Sequence, residues 1–227
     1  MLPDVIKKLP GVDSALLTAT WMQRRYFDWR HGVETMGDME LAEMDAVTSD
    51  LTLTNKYHPC HPRAGRRVLG SIPIEDHSRY TFIDLGSGKG MMLLLAAEYP
   101  YAAVRGVEFS RKLNDTASAN IRSYRNPRQR CFDVASVNVD AREYEFPQTP
   151  LVVFVFNSFR HQLLAQVVRR LETSLAAAPR DVVVVYMYPL DHYVFDQSPQ
   201  LTLIPSPSLT NTRMYRSIGV PRSGFDA

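Results

Sequence analysis

The chain has 227 residues, 45% of them hydrophobic, and a formal net charge of +2. That length supports one sizeable core, and no break in composition calls for a second, so a single domain (residues 55–227) with an N-terminal helical extension or lid (residues 1–54) is expected. Two cysteines, Cys60 and Cys131, exclude a disulfide framework. The start lacks the apolar core of a signal peptide, and the apolar runs are far too short to span a bilayer, so a soluble cytoplasmic protein with no membrane partner is expected.

In chain order, Asp13 or Ser14 can cap a helix running to about Arg30, with Leu17, Trp21 and Phe27 inward and Arg24 and Arg25 outward, stopped by Gly32. Residues 33–54 have no clean period and read as loop, with a short helix near Met39 to Ala46. Pro59, Pro62 and Gly65 mark an irregular entry before a helix over Arg63 to Leu69. An apolar first strand from Thr81 ends in Asp84, and a helix over Lys89 to Glu98 follows the glycines, ended by Pro100. Val104 to Phe109 is a second strand, and Ser110 caps a helix to about Tyr124. Phe132 to Val139 is a third strand. Leu151 to Phe156 and Asp181 to Tyr188 are apolar runs of the kind buried on both faces of a parallel sheet, with a helix over Leu163 to Ala177 between them. Leu201 to Ile204 and Thr212 to Ser217 read as a closing antiparallel pair.

The most telling segment is Asp84-Leu-Gly86-Ser87-Gly88-Lys-Gly90. Glycines at every second position let a strand turn into a helix and would leave backbone N–H groups bare for a ligand. A dinucleotide turn, G-x-G-x-x-G, would place its third glycine one residue later. Asp84, two residues before the first glycine, suits a cation and would repel a pyrophosphate, which favours S-adenosylmethionine over NAD. Glu108, beside Phe109 and about twenty residues beyond the glycines, is placed to meet ribose hydroxyls. Asp140-Ala141 ends the third strand, where an acid and a small residue can bracket an adenine. Asn157-Ser158-Phe159 then puts a polar group at the end of the fourth strand.

These four ordered motifs resemble those of the class I S-adenosylmethionine-dependent methyltransferases, over roughly residues 55 to 218. The resemblance implies an α/β, doubly wound, mostly parallel sheet of seven strands in the order 3-2-1-4-5-7-6, with helices on both faces. It implies a cofactor lying on Asp84, Gly86, Ser87, Gly88, Gly90, Glu108, Phe109, Asp140, Ala141 and Asn157, and no metal. Asn157, Ser158 and Phe159 become the candidate catalytic residues. Family members that methylate amino or amide nitrogen often carry Asn or Asp, one or two prolines, then Phe or Tyr at this place; here Ser158 replaces proline. A nitrogen acceptor on a protein side chain or small molecule is therefore expected. For a hydroxyl acceptor, His161 or His192 would supply a base. A cofactor-binding partner protein without activity and an NAD-dependent oxidoreductase are the remaining readings.

Outside these motifs, the segment from Phe27 to Thr35 is similar to one in small bacterial methyltransferases of unassigned substrate. Tyr57 with Pro59 and Pro62 resembles the tyrosine-led entry loop of some protein-lysine methyltransferases. Such an extension can fold over the cofactor, with Tyr57 near its methionine carboxylate and Arg30 pairing a carboxylate. His58, Cys60 and His61 have spacings too short for a zinc site and read as a stiff loop. Arg111, Lys112, Arg122, Arg125, Arg128 and Arg130 form a basic cluster after the second strand; without interleaved aromatics it reads as a solvated face, and nucleic acid is not the expected partner.

Overall fold

Side chains alternate across a strand, so an apolar strand buried on both faces feeds two separate cores at once. In the computed structural model, which describes residues 14–40, 45, 57–206 and 209–219, this is how the molecule is organised. Strands β1 (Thr81–Leu85), β2 (Ala103–Glu108), β3 (Val134–Asn138), β4 (Leu151–Phe156), β5 (Val182–Met187), β6 (Leu201–Ile204) and β7 (Thr212–Ser217) form one sheet in the order β3-β2-β1-β4-β5-β7-β6. β1 to β5 run parallel, and β7 lies antiparallel between β5 and β6. The expected fold is the one observed.

Phe82, Val104, Val152, Phe154, Val183 and Val185 point to one face, against Val68 and Leu69 of α2 (Pro62–Leu69) and the leucines of α3 (Met91–Ala96). Ile83, Leu85, Val107, Val153, Val155 and Val184 point to the other, against Leu163, Val167, Val168 and Leu171 of α5 (His161–Ala177) and Phe195 of the short α6 (Tyr193–Asp196). Helix α4 (Arg111–Ser123) lies beside α3 and β3 and is capped by Ser110, whose hydroxyl accepts the Leu113 N–H. Cys60 and Cys131 are buried free thiols. Among the described residues no helix is long and apolar enough to cross a membrane.

Several boundaries differ from the sequence expectation. The helix after the glycine turn begins at Met91, because Gly90 is left-handed at its N-cap, and its last turn tightens into i→i+3 bonds from Glu98 and Tyr99. Phe132 stands outside β3 and is 79% exposed. In α1 (Ser14–His31) Phe27 is buried as expected, but Trp21 is 48% exposed and Arg24 turns inward. Met39 is not helical: it forms an isolated antiparallel bridge with Tyr57, and most of the helix expected around it, like the Asp13 cap, lies outside the described residues.

The segment after α1 is clamped onto the sheet's helices by polar groups. Asp28 accepts from the Thr35 hydroxyl at 2.5 Å and from the N–H groups of Thr35 and Met36. The buried Asn120 amide accepts the Glu34 N–H at 2.7 Å and donates to the carbonyls of Glu34 and Lys89, both at 2.9 Å. Lys89, inside the glycine turn, donates from Nζ to Glu34 Oε1 and the Met36 carbonyl, each at 2.8 Å. An Asn120→Ala variant strands the buried Lys89 carbonyl and the part-buried Glu34 N–H and carbonyl, so we expect a loss of about 1–3 kcal/mol in urea unfolding. A loss below about 0.5 kcal/mol would show that the clamp is not structural.

Candidate functional site

Parallel strands end together, so the carboxyl ends of β1, β2 and β4 bring Asp84, Glu108 and Asn157 to one edge of the sheet. The strand order reverses between β1 and β4, which opens a crevice there. A cavity of about 400 Å³ fills it.

Gly86, Gly88 and Gly90 all have positive φ, at 77°, 55° and 84°, so an L side chain at any of them would strain the turn. The expectation of bare N–H groups is not met. The N–H groups of Gly86 and Ser87 donate to the Val107 carbonyl, that of Gly90 to the Ser87 carbonyl, and that of Gly88 to Glu108 Oε2 at 2.8 Å. With its donors used internally the turn is no anion nest, and a carboxylate sits where a phosphate would need to go. Nor are the Cα faces open: a Cβ on Gly86 would meet Ser158 at 2.5 Å, and one on Gly88 would meet the Tyr57 ring at 2.0 Å.

Of the expected cofactor residues, Tyr57, Asp84, Gly86, Ser87, Glu108, Phe109 and Asn157 line the cavity. Gly88 and Gly90 do not; they lie behind Tyr57 and against Ala117. Asp140 and Ala141 also lie off it. The Asp140 carboxylate forms a two-pronged ion pair with Arg142 and accepts the Arg142 N–H, closing a turn, while Ala141 is buried in the core on the α5 face. The candidate catalytic residues Asn157, Ser158 and Phe159 all reach the cavity, with Phe159 a buried wall. Asn157 is left-handed, with φ 47°, a conformation asparagine adopts more readily than other non-glycine residues. Tyr188, at φ 52° after β5, lines the same cavity, so two strand ends turn sharply to form one wall.

The opposite wall comes from the N-terminal side. Arg24 reaches the cavity and donates from Nη2 to the Pro59 carbonyl at 3.1 Å, while its buried Nε has no partner among the described residues. Arg30, expected to pair a carboxylate, is exposed and forms no ion pair among the described residues. Tyr57 donates its hydroxyl to the Thr35 carbonyl at 3.0 Å and accepts the Lys89 N–H on it, while its ring covers Gly88, so both ring and OH are engaged by the turn and the segment beside it. His58 lines the cavity, with Nδ1 2.9 Å from Asp38 Oδ1. Cys60 donates to the His61 carbonyl, and His61 Nδ1 accepts the Arg63 N–H as the cap of α2, so this loop is held by its own bonds. His161 and His192, the expected bases, lie outside the cavity, His192 being paired to Asp196 at 2.7 Å. Sequence alone missed Arg24 and His58. An amphipathic reading sends an arginine outward, and His58 finds Asp38 only through the Met39–Tyr57 bridge.

No protein-family model and no curated protein matches this sequence. Solved structures do match. A predicted N6-adenine-specific DNA methylase from Listeria monocytogenes superposes with a TM-score of 0.50 at 13% identity, over 70% of this chain and 51% of that one. TrmN from Thermus thermophilus gives a TM-score of 0.50 at 16% identity, over 69% and 48%. The chain has the class I methyltransferase fold. Within this methyltransferase fold, the cavity occupies the strand-end crevice and takes its charge from two buried acids.

Burial pushes the Asp84 carboxyl up to about 8, with the Glu108 charge adding to the shift. Burial pushes Glu108 up to about 7, against the N–H groups of Ser110, Gly88 and Phe109, which favour its charged form. A carboxyl raised by folding binds its proton more tightly in the native state, so stability is greatest below the unfolded value and falls as pH rises through the folded one. The ligand-free protein should therefore lose stability between about pH 4 and pH 8. Asp84→Asn should flatten that decline in urea titrations from pH 5 to 9; an unchanged slope would contradict the assignment to Asp84.

Proposed function

We propose that this chain is an S-adenosylmethionine-dependent methyltransferase acting on a nitrogen acceptor. The observation that carries this is Asp84: a buried carboxylate beside a second one, met by no cation or hydrogen-bond donor among the described residues, on the wall of the strand-end cavity. Two buried acids of like charge need a ligand that brings a cation and hydroxyl donors. S-adenosylmethionine has both and carries no phosphate. The orphaned Arg24 Nε supplies the complementary cation, suited to an α-carboxylate.

When bound, S-adenosylmethionine supplies a methyl group on a sulfonium, open to in-line displacement by a nucleophile. The chain's own task is to hold and dry that encounter. Asp84 takes the ammonium, Glu108 accepts the ribose hydroxyls, and Arg24 holds the carboxylate. The Asn157 side-chain carbonyl and the Ser158 main-chain carbonyl accept N–H groups of the incoming amine, which aims its lone pair. Phe156, Phe159 and Tyr188 exclude water. A protein side chain or a small molecule is the acceptor this reading assigns.

A hydroxyl acceptor is the second reading, favoured by the His58–Asp38 pair, since burial lowers the His58 pKa and leaves a neutral imidazole as a base. The two readings separate by mutation, once isotope-labelled cofactor and mass spectrometry of treated lysate have found the acceptor. For nitrogen, Asn157→Ala should lower kcat about 10²- to 10³-fold while His58→Gln does little; for oxygen the order reverses.

Calorimetry tests the cofactor assignment directly. S-adenosylhomocysteine should bind, and should bind more weakly as pH falls below about 8, because protonated Asp84 cannot pair an ammonium. Arg24→Met should weaken binding about 10- to 100-fold, the worth of a charge-assisted hydrogen bond of about 1.5–3 kcal/mol. No binding at millimolar ligand would end this reading.

A further inference from the structure

A second concavity, about 690 Å³ and open to solvent, lies where the C-terminal ends of α1 and α4 meet the start of β3. Its walls include Arg30, Arg125, Asn126, Gln129 and Phe132, and they carry two guanidinium groups and no carboxylate. Arg122, Arg128 and Arg130 are exposed on the same turn and loop. The carboxylates nearby are spent. Glu98 is buried and held by Arg66 at 2.6 Å, with Asn126 and Arg128 also on it, and Asp133 is held by Arg105 at 2.8 Å. Arg125 gives one nitrogen to the Arg122 and Tyr124 carbonyls, and it stays exposed on this rim.

One exposed aromatic side chain lines this basic surface, and two more stand exposed on α1, the helix that carries Arg30. Phe132 is 79% exposed at the groove, and Trp29, adjacent to Arg30 in α1, is 76% exposed. Tyr26, 61% exposed, lies 5.8 Å from the Trp29 ring. A large aromatic face left in water beside unpaired guanidinium groups is the combination that stacks bases while holding phosphates. Sequence reading set nucleic acid aside because no aromatic interleaved the arginines. Folding brings Phe132, from just before β3, into one groove with Arg30 and Arg125, and leaves Trp29 and Tyr26 exposed on the helix that carries Arg30.

We infer that this groove binds single-stranded RNA. Stacking needs unpaired bases, which a duplex hides and which RNA ordinarily presents in loops and ends. The two walls are tied together: His31 Nδ1 lies 2.9 Å from the Arg125 carbonyl, and the His31 and Tyr124 rings lie 5.2 Å apart, joining the end of α1 to the end of α4. This surface lies away from the cofactor cavity and stands whether or not the chain transfers methyl groups.

Fluorescence anisotropy of the full chain with a labelled 12-nucleotide unstructured RNA tests it, with S-adenosylhomocysteine calorimetry on the same samples as a separate readout. Binding should weaken with salt, with a log–log slope of about −2 to −3 for three or four phosphates. Arg30→Glu with Arg125→Glu should lower affinity at least about 10-fold and make the slope shallower. Phe132→Ala should lower it about 5- to 100-fold and leave the slope unchanged. None of these variants should change cofactor affinity. The inference is overturned by absence of binding at 50 mM salt, by equal affinity for duplex RNA, by tighter binding of the matching DNA strand, or by indifference to the arginine changes. It is also overturned if sedimentation shows a dimer that Trp29→Ser disperses while RNA fails to bind, since the exposed rings would then belong to a second copy of this chain.

Discussion

Two carboxylates buried side by side at the ends of β1 and β2 are the constraint on which the site depends. Burial keeps both Asp84 and Glu108 from ionising cheaply, and the Glu108 charge makes the ionisation of Asp84 harder still. Glu108 is partly relieved by the Gly88 and Ser110 N–H groups, so its charge is bound into the architecture of the turn. Asp84 has no such relief among the described residues. The fold thus holds an unmet electrostatic demand at the centre of its cavity, and the demand is for positive charge. This separates the site from the dinucleotide sites whose glycine turns it superficially resembles: those need free N–H donors for phosphate, and here the donors are consumed.

The N-terminal layer completes the enclosure. Without α1 and the segment after it, the crevice would be a shallow trough at the strand ends. Asp28, Asn120 and Lys89 fasten residues 34–36 to the glycine turn and α4, and Tyr57 hangs from the Thr35 carbonyl to cover Gly88. Through the same layer Arg24 reaches the cavity that Asp84 also lines. Anion and cation recognition are therefore built from different parts of the chain and meet only after folding.

How much of this was legible in the sequence follows from the range of each interaction. The strands were readable because apolar runs, caps and glycines act locally: Leu151 to Phe156 and the valines from Val182 can be little else than central strands, whereas the sheet order came from the resemblance of the four motifs and the split into two cores was not foreseen. Asp84 and Glu108 were readable because each sits at a fixed offset from a strand end. What failed depended on side-chain contacts that no hydrophobic pattern shows, near in sequence or far. Asp140 holds an acid's expected place at a strand end, but Arg142, two residues on, captures it. Arg24 looks outward on a helical wheel, and only the docking angle of α1 turns it in. The His58–Asp38 pair spans residues whose register a single strand bridge sets.

The glycine turn has one more consequence. The N–H groups of Gly86, Ser87, Gly88 and Gly90 are already satisfied by Val107, Glu108 and Ser87, so the turn's backbone is held by its own bonds, and the Ser87 hydroxyl, buried without a partner among the described residues, is the donor it has left to offer. The other bank is fastened by two means: hydrogen bonds from Tyr57, Asp28 and Asn120 tie down the segment after α1, and Phe27 seats α1 itself in the core. Floor and bank are thus both set before an occupant arrives, so little of its binding energy is spent on ordering the backbone around it.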